Sequence, residues 1–393
     1  MDNVALLENS DGLVIALKGH IDSSNADAAE AEINALRSKH PEGKFTLDAA
    51  ALEYLSSAGL RVILRLFKAE PTLTLINVSS SVYEILEMTG FSEMIPVQKA
   101  YRVISVEGCE VIGQGSNGKV YRIDADTIIK VYNNVNALPE IQRERELARK
   151  AFVKGIPTAI PYDVVKVGNG YGSVFELLSA KSFSKLLAAD PSQMDCLVDQ
   201  FVTLLKKIHS TDVEPGEMPN MKEVALTWAD YLKPYLPSES AEKLHSLIAA
   251  VPDVHKMIHG DYHTKNVMLQ KGEVLLIDMD TLSYGHPIFE FASMFLGFVG
   301  FGEADPKTAG EFLGIPYDLS CQFFEKSMEK YLGTTDKKTI DDVVNKARII
   351  GYARLMRRTI KRIGLNTPEG QPTIDLCKRN LLTLLPQYDT LTF

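Results

Sequence analysis

The stretch His259-Gly260-Asp261-Tyr262-His263-Thr264-Lys265-Asn266, followed by an apolar run over 274–277 that ends in Asp278, constrains this chain more than any other feature. A carboxylate and an amide five residues apart can share one loop. The carboxylate can orient a hydroxyl while the amide faces a cation. A second carboxylate, at the end of a short strand, can hold the same cation against a phosphate. Phosphoryl transfer asks for this set, because it depends on positioning, one base and a divalent ion more than on covalent chemistry.

A second group of residues lies upstream. Gly113, Gly115 and Gly118 form a G-x-G-x-x-G pattern, with Gln114, Ser116 and Asn117 between them. Such a turn can open a dinucleotide-binding helix, but here no helix pattern follows it. Residues 120–123 read as a strand, 124–126 as a turn, and 127–132 as a second strand with Lys130 inside it. A lysine in an apolar strand needs a partner, because an unpaired buried ammonium is costly. Glu140, Glu144 and Glu146, on a helix expected over 139–154, are the candidates. A glycine-loop hairpin, a strand lysine and then a helix glutamate is the order of a protein-kinase N-lobe.

At 393 residues the chain is long enough for two or three domains. Its 45% apolar and 24% charged residues suit a globular protein. Residues 1–98 hold 14 acidic and 7 basic side chains, and the remainder 37 and 35. With no dense basic stripe, nucleic acid is not expected as a partner. No apolar run approaches a membrane span and no signal peptide is evident. The scattered cysteines (Cys109, Cys196, Cys321, Cys377) have no metal-ligand spacing and suit a reducing cytoplasm. Arg354, Arg357, Arg358, Lys361 and Arg362 cluster on a C-terminal helix and read as its solvated face, with an anion or partner site as the alternative.

The first 98 residues alternate strand and helix, as for a sheet covered by helices. Strands are expected over 12–17, 44–47 and 72–76, and helices over 24–38, 57–68 and 80–89. Ser23 or Ser24 should cap the first helix, and Asp48 should end a strand. Leu47-Asp48 followed by Ser56-Ser57-Ala58-Gly59-Leu60 resembles the STAS domain of bacterial anti-sigma-factor antagonists. That resemblance implies a protein-binding α/β domain. It also implies that Ser57 matches the serine a partner kinase phosphorylates, with Ser56 standing where family members often have Asp.

Residues from about 106 onward resemble the aminoglycoside phosphotransferase and choline kinase superfamily. The resemblance implies an α+β, protein-kinase-like bilobal domain after the α/β STAS-like one: 1–98 STAS-like, 99–105 linker, 106–178 N-lobe, 179–393 helical C-lobe. It implies ATP, or GTP, as donor, with Mg²⁺ and a small-molecule hydroxyl as acceptor. Gly113, Gly115, Ser116, Asn117 and Gly118 would cradle the nucleotide, and Lys130 with Glu144 would position its phosphates. Glu176 and Leu178 would lie at the adenine hinge. Asp261 would be the base, His259 its brace, and Asn266 and Asp278 the metal ligands. His-Gly-Asp replaces the His-Arg-Asp of protein kinases, and Gly285-His286-Pro287 leads almost at once into a helix. The first removes the arginine that would grip an activation-loop phosphate, the second leaves no room for a long activation segment, and both disfavour regulation by loop phosphorylation. Asp280 could assist a second Mg²⁺, and His263 and Lys265 could touch substrate. The alternative function is an anti-anti-sigma-like interaction protein whose kinase-like domain senses nucleotide or phosphorylates a protein serine.

Overall fold

The computed structural model describes residues 3–7, 12–41, 43–115 and 117–393. They form two compact units, Met1–Glu107 with Val164–Gly172, and Gly108–Asp163 with Ser173–Phe393.

In the first unit β1 (Val4–Leu7), β2 (Gly12–Ile21), β3 (Lys44–Leu55), β4 (Thr74–Val78) and β5 (Val97–Lys99) form a sheet in that order. Between them lie α1 (Ala26–Lys39), α2 (Ser57–Ala69), α3 (Ser80–Met88) and the single turn α4 (Phe91–Met94). β1 is antiparallel to β2, and the remaining pairs are parallel. Ile15, Leu47 and Leu75 on the central strands are fully buried. α2 sets Leu60, Ile63 and Leu66 on one face against that core, each contributing about 1.5–3 kcal/mol of burial.

Two local expectations are corrected. β3 does not stop at Leu47 but runs on to Leu55, past register shifts against β2 at Ala16/Lys18 and Gly19/His20. Asp48 therefore lies inside a strand, where it accepts from Ala50 N (2.9 Å) and Asn77 Nδ2 (3.1 Å). α1 starts after Asn25, which makes no side-chain cap bond, while the Ser24 hydroxyl is bonded to Asp22.

The second unit opens with the antiparallel strands β6 (Glu110–Gln114), β7 (Gly118–Arg122) and β8 (Thr127–Tyr132). Then come α5 (Leu138–Val153), β9 (Asp163–Val167) and β10 (Gly170–Glu176), of which residues 164–172 are counted with the first unit; the sheet order is β6-β7-β8-β10-β9. A mostly helical part follows: β11 (Lys181–Ser182), α6 (Phe183–Ala189), α7 (Met194–Ser210), α8 (Met221–Leu232) and α9 (Ser238–Ala249). The short strands β12 (Met257–Ile258), β13 (Val267–Gln270), β14 (Glu273–Leu276) and β15 (Ser283–Tyr284) carry the loops of interest. α10 (Ile288–Phe298), α11 (Pro306–Leu313), α12 (Tyr317–Leu332), α13 (Lys337–Arg362) and α14 (Gln371–Leu384) complete it.

Every residue of α10 is buried, as its mostly apolar composition requires. α13 packs tightly against it, because a Cβ at Gly351 would lie 2.6 Å from Phe295 Cδ1. Among the described residues no helix is long and apolar enough to cross a membrane.

Candidate active site

The strand β8 places Lys130 opposite Val120 of β7. Its Nζ donates to Glu144 Oε1 (2.9 Å) and Oε2 (3.1 Å) on α5, and to Asp278 Oδ1 (3.0 Å) just after β14. Burial works against the charge on Lys130, but the Asp278 and Glu144 carboxylates outweigh it and hold its pKa above the ordinary lysine value. Tyr132 OH donates to Glu144 Oε2 (2.6 Å). Glu146 instead pairs with Lys150 on the exposed face of α5.

Of the loop glycines, Gly118 is sterically required, since a Cβ there would lie 2.1 Å from Val131 O. Gly115 has open space around its Cβ direction, and its N–H donates to Gly118 O (2.9 Å). Gly113 meets Val120 only at ordinary contact distance. Asn117 Nδ2 donates to Asp280 Oδ2 (3.1 Å), tying the loop to the segment after Asp278. Ser116 lies outside the described residues. A cleft of about 400 Å³ beside this loop is lined by residues that include Asn117, Tyr132, Glu144 and Asp280. Glu176 ends β10, Leu177 N donates to Asp126 O (2.7 Å), and Leu178 follows half-buried.

The loop 259–266 is pinned from several sides. His259 is fully buried. Its Nε2 faces Ile277 O (3.2 Å), and its Nδ1 accepts from Asp261 N (3.3 Å), so the tautomer with the proton on Nε2 serves both bonds. Asn266 Nδ2 donates to Asp261 O (3.0 Å), leaving Oδ1 as an acceptor. Ile277 N donates to Asn266 O (2.9 Å), which sets Asn266 beside the residue that precedes Asp278. Asp278 has left-handed backbone (φ 65°, ψ 71°), a conformation that costs a non-glycine residue about 1–2 kcal/mol. Gly260 is also left-handed (φ 80°), and a Cβ there would lie 2.7 Å from Thr281 O.

Asp261 keeps 36% of its side chain exposed, with Oδ2 3.4 Å from His263 Nε2. Burial alone would raise its pKa, but His263, Arg354 and His259 together hold the carboxyl well below the usual range. Asp280 is pushed up to about 7, by burial first and then by the neighbouring Asp278 charge.

Asp278 and the Asn266 amide oxygen are hard donors of the kind Mg²⁺ takes when one or two protein groups combine with phosphates. Among the described residues no three His, Cys, Asp or Glu side chains gather into a metal cage. A cation here would therefore complete its shell with phosphate and water.

Comparisons with known proteins show the family and the fold. Residues 108–315 match the model of the phosphotransferase enzyme (APH) family, which is more than half of the chain. The chain belongs to that family. Residues 3–103 match the STAS domain. Over 96 residues the chain is 38% identical to a Bordetella bronchiseptica protein carrying the name putative anti-sigma factor antagonist BtrV, covering 23% of this chain and 82% of that protein. Among solved structures, a thermostable mutant of the aminoglycoside phosphotransferase APH(4)-Ia in ternary complex with AMP-PNP and hygromycin B superposes with TM-score 0.50. It is 10% identical and covers 72% of this chain and 94% of that one. Another thermostable mutant of the same enzyme, in ternary complex with ADP and hygromycin B, gives 0.50 at 10% identity, covering 78% and 98%. The protein thus joins a STAS domain to a kinase-like phosphotransferase fold.

In this family member several supporting residues escaped the sequence reading. Glu290 on α10 is fully buried, and its two oxygens accept from His259 N (2.5 Å) and Gly260 N (3.0 Å). Ser293 Oγ and Arg354 Nη1 both donate to Gly260 O (2.8 Å each), and Thr281 Oγ1 donates to His259 O (2.8 Å). A glutamate inside an otherwise apolar helix run was the available signal for Glu290. The solvated-face expectation for the C-terminal basic residues is corrected at Arg354, Arg357 and Arg358. These lie on α13, which packs between α10, α14 and α8 rather than on the outside, and Arg357 and Arg358 are half-buried there.

In the first unit Ser56 caps α2, its Oγ accepting from Ala58 N (3.2 Å) and Gly59 N (3.4 Å). Ser57 is the first helical residue and is exposed.

Proposed function

We propose that this protein transfers the γ-phosphoryl group of ATP, or GTP, to the hydroxyl of a small molecule, with Mg²⁺ at Asn266 and Asp278. The observation that carries the proposal is Lys130, held by Glu144 and reaching Asp278, on the same site as an Asp261 loop pinned by Glu290 and Arg354. The glycine loop (Gly113, Gly115, Ser116, Asn117, Gly118) would cover the phosphates, and the backbone near Glu176 and Leu178 would meet the base. Lys130 would neutralise phosphate charge, and the cation would supply the rest of that stabilisation.

Asp261 would orient the acceptor. The acceptor oxygen bonds to the γ-phosphorus, the β–γ bridging oxygen leaves with the nucleoside diphosphate, and the hydroxyl proton passes to Asp261. A carboxylate held this acidic is a weak base, so its main contribution would be orientation, with proton transfer late. His259 would act as a brace, because both ring nitrogens are already engaged.

The STAS domain would bind a protein partner, with Ser57 as a phosphorylation site. The exposed Ser57 hydroxyl supports this, since Ser56 has already taken the cap. The dipole of an α-helix N-terminus favours the added phosphate. The same exposure favours a second reading, in which the kinase-like domain phosphorylates a protein serine. The short path from Asp278 to α10 favours a small acceptor instead. Four free thiols fit residence in the cytoplasm.

The test is thermal denaturation of the full chain with ATP, GTP and MgCl₂. A rise in Tm with nucleotide that grows when Mg²⁺ is added is expected. No shift at millimolar nucleotide contradicts the proposal.

A further inference from the structure

Arg354, Arg357, Arg358, Lys361 and Arg362 occupy successive turns of α13, and the first of them touches the backbone beside Asp261. Aromatic rings hold several of these cations in place. The Arg354 guanidinium lies 5.3 Å from the Trp228 ring, Arg358 4.9 Å from Phe301, and Arg357 and Lys361 5.8 and 5.0 Å from Tyr231. The chain of contacts closes around Asp261. Phe301 packs edge-on to Phe312 (4.9 Å), and Phe312 packs against His263 (4.9 Å) and under Lys265 Nζ (5.8 Å). His263 in turn faces Asp261.

Among the described residues, none of Lys265, Arg354, Arg357, Arg358, Lys361 and Arg362 forms an ion pair, and the buried Arg357 Nε has no hydrogen-bond partner. Asp261 acts electrostatically on Arg354 and Arg358, and two other acids are engaged elsewhere. Asp230 is paired with Lys233, and Glu303 accepts from Tyr352. Burial lowers the pKa of Arg358, with Arg362 and Arg354 adding repulsion that the attraction of Asp261 only partly offsets. Stacked guanidinium groups keep their planar N–H edges free for a carboxylate or phosphate. A polycationic amino-sugar or a quaternary amine would meet like charge along this face of α13.

We propose that the acceptor is an anion, a small hydroxylated molecule whose carboxylate or phosphate is gripped by Arg358 and Arg357 while its hydroxyl reaches Asp261. This rests on Asp261 being the group that meets the acceptor. The cations also answer a physical need. An anionic acceptor has to approach both Asp261 and the γ-phosphate, and surplus positive charge offsets that repulsion.

The test uses the full chain saturated with AMP-PNP and Mg²⁺. Thermal shift is read on adding glycerol 3-phosphate, malate, choline or kanamycin, and the same four compounds are tried as acceptors with ATP by measuring ADP release. The expected result is a shift and turnover with glycerol 3-phosphate or malate only; which of the two acts tells phosphate from carboxylate. In Arg358→Gln the acceptor KM should rise at least tenfold, with kcat within about threefold and the ATP KM unchanged. The Arg357→Gln variant serves if Arg358→Gln does not fold. A shift with choline or kanamycin, no shift with either anion, or an acceptor KM unmoved in the variant overturns the proposal. Absence of any AMP-PNP binding would instead tell against the phosphotransferase reading itself.

Discussion

Lys130 Nζ lies 3.0 Å from Asp278 Oδ1 although 148 residues separate them in the chain. The contact joins the strand that carries the lysine to the loop that would carry the metal, and Glu144 holds the lysine from the other side. Lys130→Met should therefore raise the nucleotide KM at least tenfold. It should also cost about 1–3 kcal/mol of stability, because two carboxylates lose a charged donor. Nucleotide titration and chemical denaturation of the variant check both numbers.

Gly118→Ala and Gly115→Ala separate fold from function within one loop. At Gly118 the added methyl meets Val131 O at 2.1 Å, so the hairpin must distort. A loss of about 1–3 kcal/mol is expected. At Gly115 there is open space, so Tm should hold within a degree or two, while nucleotide affinity should fall, because an added methyl crowds the loop proposed to cover the phosphates. Equal Tm in the two variants would contradict the loop geometry.

Much of this site was legible beforehand because it is written locally. Asp261, Asn266 and Asp278 belong to one short stretch, and Lys130 and Glu144 follow the glycine turn in order. The residues alone left Glu140, Glu144 and Glu146 open and the family resemblance pointed to Glu144, which α5 buries while Glu146 pairs with Lys150 on its exposed face. Glu290 and Arg354 brace the loop from 31 and 94 residues away, and only tertiary packing brings them there. The length of β3 was missed for a related reason. Its second half mixes exposed and buried residues past a register shift, and the Ala-rich segment has no strong strand propensity.

Glu290→Gln should lower kcat at least tenfold with little change in nucleotide KM. The neutral amide would set an N–H donor against one of the two backbone N–H groups now bonded by the carboxylate. The same residue predicts a pH effect. Burial opposes the charge on Glu290, but His209 and His259 and the backbone donors outweigh it and lower its pKa in the folded state. Tyr331 and Tyr262 face the same cluster. A carboxylate depressed in this way stabilises the fold above its unfolded pKa of about 4.5 and loses that contribution as the pH falls below it. Denaturation between pH 7 and pH 3 should show a steeper fall for the natural protein than for Glu290→Gln.

The two serines at the start of α2 should behave differently. Ser56→Ala removes the cap and should cost about 1 kcal/mol. Ser57→Ala, at an exposed position with no capping role, should stay within about 0.5 kcal/mol. Ser57→Asp should fold normally and weaken binding of an anti-sigma-like partner, measured by pull-down against the natural protein. Unchanged partner binding would remove Ser57 from the docking surface.

The central claim assigns Asp261 to the acceptor and Asp278 with Lys130 to the nucleotide. Asp261→Asn tests that division most directly, with ATP–Mg²⁺ affinity by calorimetry and phosphoryl transfer by ADP release taken on one preparation of the full chain. The account predicts nucleotide affinity within about threefold of the natural protein and transfer reduced at least about a hundredfold. Parallel loss of nucleotide affinity, or transfer that survives the substitution, would contradict it.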